Sequence, residues 1–76
     1  FDTESLDFVY IDADHSYNAV LSDMTIWYSK IRKGGILSGH DFTTTSVGEA
    51  VRLFCAKTKI DKLYTQNEDW WIFKKE

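Results

Sequence analysis

The run LDFVYI, Leu6 to Ile11, passes directly into Asp12, Ala13, Asp14 and His15. Five of its six residues are aliphatic or aromatic, and only Asp7 interrupts them near the start. A short, continuous apolar run of this kind suits a strand covered on both faces, not one that shows a face to water. Such a strand needs parallel neighbours beside it and helices above and below it. It therefore constrains the rest of the chain more than any other feature. Two carboxylates and an imidazole then stand at the strand's carboxyl end.

The residues that follow alternate with helical spacing. Tyr17, Val20, Met24, Trp27 and Ile31 recur every three or four positions, and Leu21 and Tyr28 widen the stripe. Asn18, Ser22, Asp23 and Lys30 occupy the other face. The pattern predicts an amphipathic helix of about four turns. Ser16 or Asp14 can cap its start; Arg32 and Lys33 suit the carboxyl end of the dipole, and Gly34 can close it. Ile36 to Ser38 reads as a second short strand, with His40 and Asp41 after it. Strand, helix and strand in this span predict a right-handed βαβ unit with parallel strands.

Ser46-Val47-Gly48-Glu49 matches a capping box, Ser46 as the cap and Glu49 reaching back. Val47, Ala50, Val51, Phe54 and Cys55 continue as an apolar helical stripe that should end near Lys57 or Thr58. Leu63 to Gln66 and Trp70 to Lys74 are two further strand candidates. The polar residues Asn67 to Asp69 are short enough to join them as an antiparallel hairpin. The expected fold is α/β, with elements in the order β-α-β-α-β-β.

Two helices do not cover both faces of a sheet this apolar. With five Phe, four Tyr and three Trp in 76 residues, disorder is not expected. Yet Phe8, Trp27, Trp70, Trp71 and Phe73 are not all expected to be buried in a free chain of this length. The chain is expected to be the C-terminal half of a larger α/β domain, or to associate so that the sheet is covered. A net charge of −3 and the absence of a basic stretch argue against nucleic acid as a partner. No apolar run is long enough to span a membrane. Cys55 is a lone cysteine on an apolar helix face, read as a small core residue and compatible with a cytoplasmic setting.

In an open parallel sheet, ligands bind beyond the carboxyl ends of the strands. Asp12, Asp14 and His15 stand at one such end, and His40 and Asp41 at another. Neighbouring strands lie about 4.8 Å apart, so these groups should converge. Carboxylates brought together repel unless a cation joins them. Oxygen ligands favour magnesium, calcium or manganese, and a histidine shifts the preference toward transition metals. Each residue also has a plainer reading. Asp12 or Asp14 can cap the following helix, His40 can bond a backbone carbonyl, and Asp41 can hold a turn.

Together, DFVYIDADHSY, the helix DMTIWYSKIRKGG and GILSGHD resemble the second half of class I S-adenosylmethionine-dependent methyltransferases. The nearest likeness is to the O-methyltransferase-like, type 24 group. The resemblance implies a partial Rossmann-like methyltransferase sheet whose last strand inserts antiparallel to the others. It implies S-adenosylmethionine as methyl donor in the parent protein, and a small-molecule acceptor that offers a hydroxyl. By position, Asp12 matches a magnesium-binding aspartate, and Ala13 and Asp14 match positions beside the donor's adenine. His15 stands where related enzymes carry a basic lysine, so it is a candidate general base. His40 and Asp41 match the pair that completes the metal site, although histidine departs from the usual acidic residue. The family's glycine-rich donor loop has no counterpart here, so the chain alone is expected to be inactive. Two other readings fit parts of the sequence. Asp12-Ala13-Asp14 resembles the Asp-x-Asp motif of metal-dependent glycosyltransferases, and a non-catalytic methyltransferase-like interaction module would keep the apolar sheet.

Overall fold

A computed structural model describes residues 4–11 and 16–75. Its elements follow the expected order: β1 (Leu6–Ile11), α1 (Tyr17–Lys30), β2 (Ile31–Gly39), α2 (Thr45–Thr58), β3 (Tyr64–Gln66) and β4 (Asp69–Phe73). The four strands form one mixed sheet in the order β1-β2-β4-β3. Only β1 and β2 are parallel; β4 lies antiparallel between β2 and β3. The sheet is thus less parallel than the apolar run of β1 suggested, because the terminal hairpin inserts β4 directly beside β2.

Helix α1 starts where Ser16 caps it, its hydroxyl oxygen accepting a hydrogen bond from the Ala19 N–H at 3.2 Å. The helix does not extend to Arg32 and Lys33, and Gly34 does not close it. It stops at Lys30, and β2 begins at once. The freed carbonyls of the last turn are satisfied by the chain entering β1: Glu4 N–H donates to Ser29 O and Ser5 N–H to Lys30 O. Lys74 fastens the same corner. Its ammonium donates to Ile31 O at 2.8 Å, lies 3.5 Å from the Glu4 carboxylate and sits over the Tyr28 ring.

The start of β2 is irregular. Leu6 pairs with Ile31 but Phe8 pairs with Ile36, so the residues between Ile31 and Ile36 loop out of register. Gly34 takes a φ of 83° within this bulge, which costs glycine little. Helix α2 also begins differently from the capping-box expectation. Thr44 is its N-cap and makes no side-chain cap bond, so Ser46 and Glu49 fall inside the helix. At its other end Lys59 adopts the left-handed conformation, and Ile60 N–H closes back on Cys55 O.

Both helices pack on one side of the sheet. Val20, Met24, Val51 and Phe54 meet Ile11, Leu37, Trp70 and Ile72 in a single core. The register explains this: Val9, Leu37 and Ile72 lie abreast, as do Ile11, Gly39 and Trp70. Alternation sends Phe8, Ile36 and Phe73 to the other side, with Tyr10, Ser38 and Trp71. Phe8 and Phe73 remain exposed while Trp70 is buried. The five large aromatics singled out in the sequence are therefore not all buried, as expected.

Gly39 is required where β4 joins β2. A Cβ there would lie 2.6–2.8 Å from three atoms of the Trp70 indole. Gly39→Ala is expected to cost about 1–3 kcal/mol by overpacking. The check is a lowered urea midpoint with unchanged slope.

Candidate functional site

The carboxyl end of β2 delivers His40 and Asp41 to the rim of the sheet. Asp41 leaves the strand with φ 63°, a left-handed conformation that aspartate tolerates better than most residues. That turn aims its carboxylate at its neighbour: His40 Nδ1 lies 3.1 Å from Asp41 Oδ1. The Asp41 carbonyl accepts from Thr44 N–H and so anchors the start of α2. Of the plainer readings, His40 bonds the Asp41 carboxylate, and Asp41 does hold a turn.

The hairpin adds a residue that sequence reasoning missed. Asn67 and Glu68 form the two-residue turn between β3 and β4, Asn67 with φ 56°. Phe42 N–H donates to Glu68 O at 2.9 Å and ties this turn to the exit of β2. Ligand atoms of His40, Asp41 and Glu68 then lie within 4.8 Å of one another. Among the described residues this is the one group able to share a cation. Glu68 lies 27 positions beyond Asp41 and outside any motif. The available signal was the antiparallel insertion of the last strand, which places the beginning of β4 beside the end of β2. Asp69 stands next to Glu68 and accepts a hydrogen bond from the Tyr10 hydroxyl at 3.2 Å.

These charges act on His40. Loss of water contacts pulls its pKa down, but the hydrogen bond to Asp41 and the charges of Asp41, Asp69 and Glu68 outweigh that effect. The net result lies above the ordinary value. Trp70 is buried, and its indole N–H has no hydrogen-bond partner among the described residues. Cys55 is buried away from the rim, and burial pushes its thiol pKa up, in keeping with a core residue. Asp12, Ala13, Asp14 and His15 lie outside the described residues, so their proposed metal, donor and base roles rest on the sequence reading.

The model of a methyltransferase family, described as methyltransferase domain, matches residues 1–42, more than half of the chain. The chain belongs to this methyltransferase family. The matched span holds β1, α1, β2 and the His40–Asp41 pair. Among solved structures the chain resembles the O-methyltransferase NovP, with a TM-score of 0.74 and 21% sequence identity. The alignment covers 92% of this chain and 31% of NovP, so the chain spans about a third of that protein. At this identity the likeness establishes a shared fold. No curated protein matches the sequence significantly. No described helix is long and apolar enough to cross a membrane.

Because His40 is raised in the folded chain, its contribution to stability is fully present below about pH 6.5 and is lost as pH rises through the folded value. NMR titration of the His40 ring should show that upward shift. Asp41→Asn should move the midpoint down, since it removes the partner that favours imidazolium. An unmoved midpoint would separate the two residues.

Proposed function

We propose that the whole protein transfers a methyl group from S-adenosylmethionine to a hydroxyl of a small molecule, and that this chain is the C-terminal half of its methyltransferase domain. The match to the methyltransferase family over residues 1–42 carries the reading. The polar rim at the carboxyl end of β2 supports it, being where ligands bind in open sheets of this type. S-adenosylmethionine supplies an electrophilic methyl on a sulfonium sulfur. Ala13 and Asp14 are the proposed donor contacts in this chain. The remaining contacts, in this proposal, come from the N-terminal half, which would also cover part of the exposed sheet.

The donor set of the rim fits a divalent cation: one imidazole nitrogen and two carboxylates within reach of a common point. His40, Asp41 and Glu68 would hold the metal, with Asp12 as the further ligand proposed from sequence. A metal held there would lower the pKa of an acceptor hydroxyl. His15 is the proposed base that removes the hydroxyl proton. The charges around His40 favour its protonated form, so metal binding and protonation of His40 compete, and affinity should rise with pH.

The decisive experiment is calorimetric titration of S-adenosylmethionine into the complete protein. Binding is expected there and not with the 76-residue chain. A complete protein that fails to bind the donor would rule the function out. For the metal, Asp41→Asn should weaken magnesium or manganese binding at least tenfold and lower turnover with it. Asp12→Ala should do the same, and undiminished turnover in either variant would remove the metal from the mechanism.

A further inference from the structure

The loop that leaves β2 and the first turns of α2 flank a groove of about 470 Å³, with residues 42–45 on one side and Gly48, Glu49 and Arg52 on the other. That volume falls within the range of small-molecule sites. The groove starts where the cation cluster ends. Phe42 follows Asp41 in the chain, and Thr44 N–H donates to Asp41 O at 2.9 Å. From the Cα of Asp41 to that of Thr43 is at most about 7 Å. Gly48 is buried, and a Cβ there would lie 2.9 Å from Phe42 O and 3.5 Å from Arg52 Nη1. Glycine at this position lets the loop and the guanidinium come close to the helix.

Glu49 and Arg52 stand three residues apart on α2, where opposite charges can pair. Here they do not. Among the described residues no carboxylate lies within ion-pairing distance of Arg52, and no cation within that distance of Glu49. The Arg52 guanidinium is stacked over the Phe42 ring instead, 4.9 Å from its centre. Stacking uses the face of the guanidinium and leaves its N–H edge able to hold a carboxylate by two parallel bonds. It also restrains a long side chain before any ligand arrives, which lowers the entropic cost of binding. The groove therefore carries one cation and one anion, neither of them neutralised, beside the three threonines. The Thr44 hydroxyl is not spent on capping α2.

A ligand with a single charge gains at one of these two groups and is repelled by the other. A ligand with both charges gains at both. We infer that the groove holds the ammonium and carboxylate of a small zwitterion of the amino-acid type, Arg52 taking the carboxylate and Glu49 the ammonium. Threonine hydroxyls, which donate and accept, meet the remaining lone pairs and N–H groups. The inference rests on the methyl-transfer reading and names its acceptor: an amino acid whose side-chain hydroxyl extends toward His40 and Asp41. The hydroxyl oxygen takes the methyl as the sulfonium C–S bond breaks, and the hydroxyl proton passes to the proposed base, His15. Arg52 and Glu49 select the acceptor and take no part in the bond changes.

Calorimetry on the complete protein saturated with S-adenosylmethionine tests this, saturation keeping the donor's own amino-acid end out of the groove. L-Serine and L-tyrosine are the probes, one with a short and one with a long hydroxyl side chain. At least one should bind and become methylated. Its amine (ethanolamine or tyramine) and its acid (hydroxypropionate or hydroxyphenylpropionate) each lack one charge and should bind at least about tenfold more weakly. Arg52→Gln should erase the preference over the amine, and Glu49→Gln the preference over the acid. Retained donor binding shows that both variants are folded. Failure of both amino acids to bind, single-charge analogues that bind equally well, or a preference undiminished in the variants would each overturn the inference. A complete protein that does not bind the donor would instead remove the methyl-transfer reading, and the same titrations without donor then test the groove by itself.

Discussion

The Trp70 indole occupies the space where a side chain of residue 39 would be, and glycine is what leaves that space. This contact fixes where β4 lies on β2. From that register Ile72 comes to rest beside Leu37, Trp70 beside Gly39, and Asp69 and Glu68 at the rim. A shift by one residue would turn Trp70 and Ile72 to the open face and Trp71 and Phe73 into the core. The core under the two helices and the cluster of charges at the rim thus rest on the same strand pairing. Among the described residues the buried Trp70 indole N–H has no partner, and such a group costs about 1–3 kcal/mol. The fold bears that cost for the area the ring buries.

The rim follows from how the chain turns there, not from any strong single interaction. Asp41 leaves β2 in a left-handed conformation, Thr44 closes on its carbonyl, and Phe42 binds the hairpin turn. Three short backbone commitments bring together side chains from two distant stretches. The resulting negative field raises His40 and suits a cation. The opposite end of the sheet is basic by the same logic. Lysines near the end of α2, in the linker to β3 and after β4 gather where those segments meet.

Much of the architecture was legible in the residues. Helical spacing from Tyr17 and from Val47 located both helices, Ser16 marked one start, and the polar residues after Gln66 marked the hairpin. The errors were at boundaries. Arg32, Lys33 and Gly34 read as a helix end, but Glu4 and Ser5 satisfy the last carbonyls of α1, so the chain passes directly into β2. Ser46 and Glu49 have the spacing of a capping box, yet the turn at Asp41 starts the helix earlier, at Thr44. In the first place contacts distant in sequence overrode a local preference, and local patterns carry no record of such contacts; in the second a neighbouring turn did so.

The sequence by itself determined the element types, the family likeness and two members of the rim, His40 and Asp41, because these depend on residues close together in the chain. The tertiary structure decided that β4 lies antiparallel against β2, that Glu68 joins His40 and Asp41, and that the lysines converge at the far end. Each of these depends on strand pairing across many residues. A hydrophobic pattern says which side of a strand is buried, but the choice of neighbour comes from packing, here of Trp70 on Gly39.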